Sequence, residues 1–325
     1  MALPEIFNTM RLPVVGAPMF IVSGPELVIA QCKAGIVGSF PALNARPSGM
    51  LDAWLTRITE ELDQYNQENP DTPAAPYAVN QIVHRSNGRV EEDMEVCAKH
   101  KVPIIITSLG ARKELNDAVH GWGGITLHDI INDKFGRKAI EKGADGLIAV
   151  ATGAGGHAGT LSPFALLQEI RAWFDGPLLL SGSIANGGAV LAAQAAGADL
   201  AYIGTPFIAT KEANAVDDYK QCIVDHKAED IVYSNLFTGV HGNYLKPSIE
   251  AAGMDPDDLP EGDLSAMDFG SGSKSDSKAW RDIWGAGQGI GAIDAVDTVA
   301  DRVAKLQGEY SAARARLAAL SAGGV

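Results

Sequence analysis

The segment "GADGLIAV" at 143–150 recurs as "GADLAYIG" at 197–204, 54 positions later. In both copies a glycine closes an amphipathic stretch and a short apolar run follows, the pattern of a helix handing over to a strand. The interval holds two strand–helix units of roughly 27 residues each. Parallel neighbours need a crossover of a dozen or more residues, so a chain of such units folds as a parallel sheet covered by helices.

The whole series reads "PVVGAPM" (13–19), "GIVGSFP" (35–41), "YAVNQIV" (77–83), "VPIIITSL" (102–109), "ITLHDII" (125–131), "GLIAVATG" (146–153), "PLLLSGSI" (177–184) and "LAYIGTPF" (200–207). These runs are too short for helices, are bounded by Gly and Pro, and are apolar nearly throughout, as strands buried on both faces are. Eight units predict an α/β fold, a closed (β/α)8 TIM barrel, over 1–210. Residues 211–290 are expected to form a small, mainly helical cap or substrate domain. In it the acidic stretch 250–268 reads as solvated surface and "GSGSKSDSK" (270–278) as a flexible loop. An Ala-rich helix in 291–325 is expected to return to the barrel.

Net charge of −14 argues against a nucleic-acid or anionic-membrane partner. No apolar run reaches the ~20 residues of a membrane helix, and the N-terminus lacks the basic and apolar regions of a signal peptide. Cys32 and Cys97 lie in helix-like runs and read as buried structural thiols. A soluble, cytoplasmic protein is the expectation. No Cys/His/carboxylate cluster has metal-ligand spacing and no G-x-S-x-G occurs, so metal and serine-nucleophile chemistry are not expected.

Barrel active sites lie at the C-terminal ends of the strands, with phosphate commonly held after the seventh and eighth. There the chain has Ser181-Gly182-Ser183 and Gly204-Thr205, small residues that let backbone N–H groups approach an anion. The first strand brings Pro18 and Met19 to the mouth and the third brings Asn80. The fifth carries His128-Asp129, of which one faces the lumen and the other the helices. "GAGGHA" (153–158) matches the dinucleotide pattern G-x-G-x-x-[GA], but "GTLSP" separates it from the next helix, for which Ser162-Pro163 is a better start. Residues 153–161 therefore read as a loop that carries His157 over the mouth, where an imidazole suits proton chemistry.

Taken together, "GAPM", "GLIAVATGAGGHAGTLSPFALLQEI", "LLLSGSIANGGAVLAAQAAGADLAYIGTPFIAT" and the late "WGAGQGIG" resemble the nitronate monooxygenases, formerly 2-nitropropane dioxygenases. The resemblance implies an FMN-binding barrel that oxidises alkyl nitronates with O2 to a carbonyl compound and nitrite. Ala17, Pro18 and Met19 would border the isoalloxazine, Asn80 would touch its polar edge, and Gly155 and Gly156 would pass over it. Ser181, Gly182, Ser183, Gly204 and Thr205 would hold the phosphate, and His157 takes the position of the family's catalytic histidine. The wider group also holds flavin-dependent enoyl-[acyl-carrier-protein] reductases and NADH:quinone reductases, so an NAD(P)H-dependent reductase is the alternative. Two residues depart from the pattern: Ser183 stands where many members have glycine, and Asp129 where some have a lysine near the flavin. The implied partners are a small nitronate and O2; a homodimer is left open.

Overall fold

Strands β1 (Val14–Gly16), β2 (Gly38–Pro41), β3 (Tyr77–Ile82), β4 (Ile104–Ser108), β5 (Ile125–Ile130), β6 (Gly146–Val150), β8 (Leu178–Ser181) and β9 (Leu200–Ile203) are the eight expected from sequence. In this computed structural model, which describes residues 3–47, 49–262 and 281–322, they run parallel in the order β1-β9-β8-β6-β5-β4-β3-β2. A parallel bridge from Val15 to Val37, with Gly16 N donating to Val37 O at 2.8 Å, closes the ring into a (β/α)8 barrel.

Helices α1 (Pro25–Lys33), α2 (Met50–Glu68), α3 (Val90–Lys99), α4 (Lys113–Gly121), α5 (Asp133–Glu141), α6 (Pro163–Arg171) and α7 (Gly187–Ala195) connect the strands. Their apolar stripes meet the outer face of the barrel; α2 buries Leu51, Leu55, Ile58 and Leu62, the three-and-four spacing of one helix face. Asn186 caps α7 by accepting from Ala189 N at 2.8 Å. Ser162 does precede α6, but its side chain makes no cap bond; its carbonyl takes Leu166 N instead.

The lumen is filled by Val15, Val37, Ala78, Ile104, Ile106, Leu127, Ile148, Leu179 and Leu200. Because side chains alternate along a strand, two residues further on the same face points into the mouth. That rule places Asn80, Ser108, Asp129, Ser181 and Tyr202 on the lumen side. It also settles the fifth strand: His128 faces the helices, where it shares a 2.6 Å hydrogen bond with Thr107, and burial pushes its imidazole down to about 4.

Beyond the barrel come α8 (Thr205–Ile208), α9 (Asp217–Asp225), strands β10 (Ile231–Ser234) and β11 (Gly242–Leu245), α10 (Lys246–Ala251) and α11 (Val299–Ala322). The cap thus carries an antiparallel β pair beside its helices, and β11 also pairs with β7 (Gly156–His157), in the segment after β6. The "GSGSKSDSK" segment and the end of the acidic stretch lie outside the described residues. Helix α11 returns to the barrel and crosses α7 so closely that a Cβ on Gly187 would fall on the backbone of Leu306 and Tyr310.

Candidate active site

Four segments converge at the C-terminal end of β6, β8 and β9 on a small polar cavity. It is lined by Gly153–Gly155, Ser181–Ile184, Tyr202–Thr205, Gly287 and Gly289. The glycines are there because backbones cross. A Cβ on Gly155 would lie 2.8 Å from Gly287 N, and one on Gly287 would lie 2.8 Å from Gly153 O. Gly153 O accepts from Ser183 N (3.2 Å) and Gln288 N (2.9 Å), which ties the β6 and β8 tips to the late Ala286–Gly289 segment. Gly287 N donates to Thr205 Oγ1 at 2.9 Å, leaving that hydroxyl its own proton to donate into the cavity. Thr205 also opens the short helix α8 directly after β9.

These residues fit the phosphate end of FMN. The cavity is polar, four hydroxyl-bearing side chains (Ser181, Ser183, Tyr202 and Thr205) line it, and glycines bring backbone close to much of the rest. Gly204 is informative in a different way. A Cβ there would meet only Met19 Sδ at 3.4 Å and Ala17 Cβ at 3.5 Å, ordinary contacts, so packing within the protein does not demand a glycine. The same distances place Ala17 and Met19 at the apolar border of the cradle. Gly155 is already explained by protein packing against Gly287, and Gly156 by its left-handed backbone, φ 65°.

His157 does not ride on a free loop, as its glycine-rich flanks suggested. It belongs to β7, paired with Gly242, and its Nε2 lies 2.8 Å from Thr238 Oγ1 in the cap. The side chain is half-buried, and desolvation pushes its imidazole down to about 4, so it is neutral at physiological pH.

Asp129 points inward at the mouth. Ser108 Oγ and the Leu109 N–H hydrogen-bond to it, yet burial prevails and raises its carboxyl to about 6. Asn80, on the next strand but one, donates to Ser108 Oγ at 2.8 Å. The reading of the sequence missed several participants: Gly153, Gly287 and Gln288 in the cradle, Ser108 and Tyr202 at the mouth, and Thr238 beside the histidine. Only the "WGAGQGIG" glycine pattern signalled the late segment. A separate open concavity, ≈ 580 Å³, lies between Phe20, Ile21, Leu43, Arg46, Trp54 and residues 212–214. It contains none of the candidate residues. Among the described residues no group of His, Cys, Asp or Glu could hold a metal, and no helix is long and apolar enough to cross a membrane.

Solved structures share this architecture along the whole chain. The nitroalkane oxidase of Streptomyces ansochromogenes superposes with a TM-score of 0.82 at 23% identity, covering 97% of this chain and 100% of that one. FabK of Thermotoga maritima does so at 0.77 and 21%, covering 98% and 100%. At these identities the likeness is one of fold. The class the fold and site define is that of flavin-dependent (β/α)8-barrel oxidoreductases. Residues 3–309 match the description "Nitronate monooxygenase", and the chain belongs to that family. Relatives also match at the sequence level, among them the following two. A nitronate monooxygenase of Paraburkholderia phytofirmans is 25% identical over 285 residues, 75% of this chain and 76% of that protein. An octahydroindene-carboxyl-CoA dehydrogenase of Rhodococcus jostii is 26% identical over 248 residues, 76% of this chain and 66% of that protein.

Proposed function

We propose that this protein oxidises alkyl nitronates with O2, yielding a carbonyl compound and nitrite, with FMN as its resident cofactor. The observation that carries the reading is the convergence of the Gly153–Gly155, Ser181–Ser183, Gly204–Thr205 and Gly287–Gly289 segments on one polar cavity, in a chain of this family. Ser183 and Thr205 would hold the phosphate, Ala17, Pro18 and Met19 would border the ring, and Asn80 would meet its polar edge. Bound FMN supplies the acceptance of electrons from the nitronate and their delivery to oxygen.

His157 holds or moves the proton. In the neutral form favoured by desolvation it can accept a proton from the carbon of a neutral nitroalkane. A bound nitronate anion favours the charged imidazole, so the histidine gains proton affinity as the substrate arrives and pairs with its oxygens. The pairing of β11 with β7 ties its backbone to the cap.

The alternative is reduction of an enoyl thioester or quinone by NAD(P)H, which the sequence similarity to the CoA-ester dehydrogenase favours. Anaerobic mixing of the flavin-loaded protein with propionate 3-nitronate, and separately with NADH, decides between them. Loss of the oxidised-flavin absorbance with the nitronate and none with NADH is the expected result. Bleaching by NADH with no response to nitronate refutes it and assigns the reductase reaction. In the first case His157→Asn should lower turnover by roughly 10²–10⁴-fold, the span typical of a lost general base.

A further inference from the structure

Strands β3, β4 and β5 are consecutive neighbours in the barrel, and near the mouth each presents one polar residue to the lumen: Asn80, Ser108 and Asp129. Their hydrogen bonds have a direction. Asn80 Nδ2 donates to Ser108 Oγ at 2.8 Å and to Ile106 O at 3.2 Å, which commits both amide hydrogens. Ser108 Oγ therefore accepts from Asn80 and has its own proton to give to Asp129. Leu109 sits at φ 59°, a left-handed conformation that a non-glycine residue rarely adopts, and its N–H meets the same carboxyl. Backbone strain is thus held where it supplies Asp129 with a second donor.

Among the described residues, no cation is paired with Asp129. The lumen positions on β6 are Ile148 and Val150, both apolar. From β9 comes Tyr202, a phenol pushed well up by burial and by the charge of Asp129 itself. His128, its neighbour on β5, faces away toward Thr107. Two donors favour the carboxylate and burial favours the acid, and the group is left near 6, close to the pH at which it would exchange its proton.

We propose that Asp129 is a proton-holding residue coupled to the redox state of the flavin, with Ser108 and Asn80 positioning it. This rests on the flavin reading above. As the bound ring gains electrons from the substrate, Asp129 takes one proton from solvent onto a carboxyl oxygen and keeps it there. When oxygen removes the electrons, that proton returns to solvent. No other bond changes at Asp129. The physical reason is like-charge repulsion: an electron-rich ring and a nearby carboxylate cannot both stay anionic cheaply.

The test is the midpoint potential of the bound flavin as a function of pH in the wild-type holoprotein, Asp129→Asn and Ser108→Ala. The wild-type potential should fall more steeply with pH than that of D129N. The two should coincide near about pH 5 and separate increasingly toward about pH 8, with D129N the higher, because linkage adds one proton only where the carboxylate is present. S108A removes a donor to the carboxylate, so its separation from D129N should begin at higher pH. A gap of the same size at every pH, or no gap, overturns the proposal. An infrared readout is independent of turnover: reduction at neutral pH should produce a protonated-carboxyl carbonyl band in wild type that D129N lacks. Normal flavin binding without that band overturns this inference and leaves the nitronate reading standing. Protein that takes up no flavin overturns both.

Discussion

His157 Nε2 lies 2.8 Å from Thr238 Oγ1, a bond between the segment after β6 and the cap. Thr238 Oγ1 also lies 3.0 Å from Val240 O, to which it donates its single proton. With that proton spent, Nε2 must be the protonated nitrogen of His157, and Nδ1 carries the lone pair. Thr238→Val keeps the shape and removes the acceptor. Turnover of nitronate should fall about tenfold, ~1.4 kcal/mol, the size of one neutral hydrogen bond, with flavin content unchanged. Undiminished turnover would show that Thr238 does not set the tautomer.

Three desolvated groups give the protein a defined acid response, with opposite signs. His128 and His157 are both pushed down to about 4. The unfolded chain protonates them near 6.5, so the stability they contribute is present above that pH and is lost as pH falls toward their folded values. Asp129, raised to about 6, works the other way: its contribution is present below the ordinary aspartate range and is lost as pH rises through its folded value. Between roughly pH 4 and 6 the carboxyl therefore offsets part of the histidine effect. Asp129→Asn should steepen the loss of stability on acidification by up to one proton, about 1.4 kcal/mol per pH unit. Melting temperatures across that window measure it; parallel curves for the two proteins would refute the assignment.

Where α11 crosses α7, two glycines should respond oppositely to alanine. At Gly187 the added carbon would fall on the backbone of Leu306 and Tyr310, atoms that can move only with the helix. At Gly308 it would meet nothing within 4 Å. Gly187→Ala should cost about 1–3 kcal/mol through overpacking and lower the melting temperature by several degrees. Gly308→Ala, within the helix, should raise stability by up to ~1 kcal/mol. Equal effects of either sign at both positions would contradict the close crossing.

The barrel was legible because its information is local. Val- and Ile-rich runs closed by Gly or Pro mark each strand, and the repeat of "GAD" marks the unit. What the runs could not decide was facing: His128 and Asp129 are equivalent to a reader until Leu127 is known to fill the lumen. The short strand at Gly156–His157 was not legible at all. Gly-Gly-His has no strand propensity of its own, and pairing with Gly242 and Asn243 of the cap creates the strand. Contacts of the same long-range kind join Gly287 to Gly153 and Thr238 to His157. No periodicity reports such contacts, though clustered glycines hint that two backbones approach.

Two glycines of the cradle separate space held by protein from space held for a ligand. Gly287 is fixed by its own fold: a Cβ there would lie 2.8 Å from Gly153 O and 3.1 Å from Gly155 N. Gly287→Ala should push the β6 tip and the late segment apart, lowering both stability and flavin affinity, each by roughly 1–3 kcal/mol. Gly204 has negative φ, −110°, and an added Cβ would make only ordinary contacts with Met19 and Ala17. Gly204→Ala should leave the melting temperature of the flavin-free protein within about 0.5 kcal/mol of wild type. Its flavin affinity should nonetheless fall, by tenfold or more, because the methyl would occupy the place of a phosphate oxygen or ribityl carbon. Titration of FMN into the flavin-free variants, beside their melting curves, gives both quantities. If Gly204→Ala binds FMN as tightly as wild type, the tip of β9 is a corner of the barrel and the phosphate lies elsewhere.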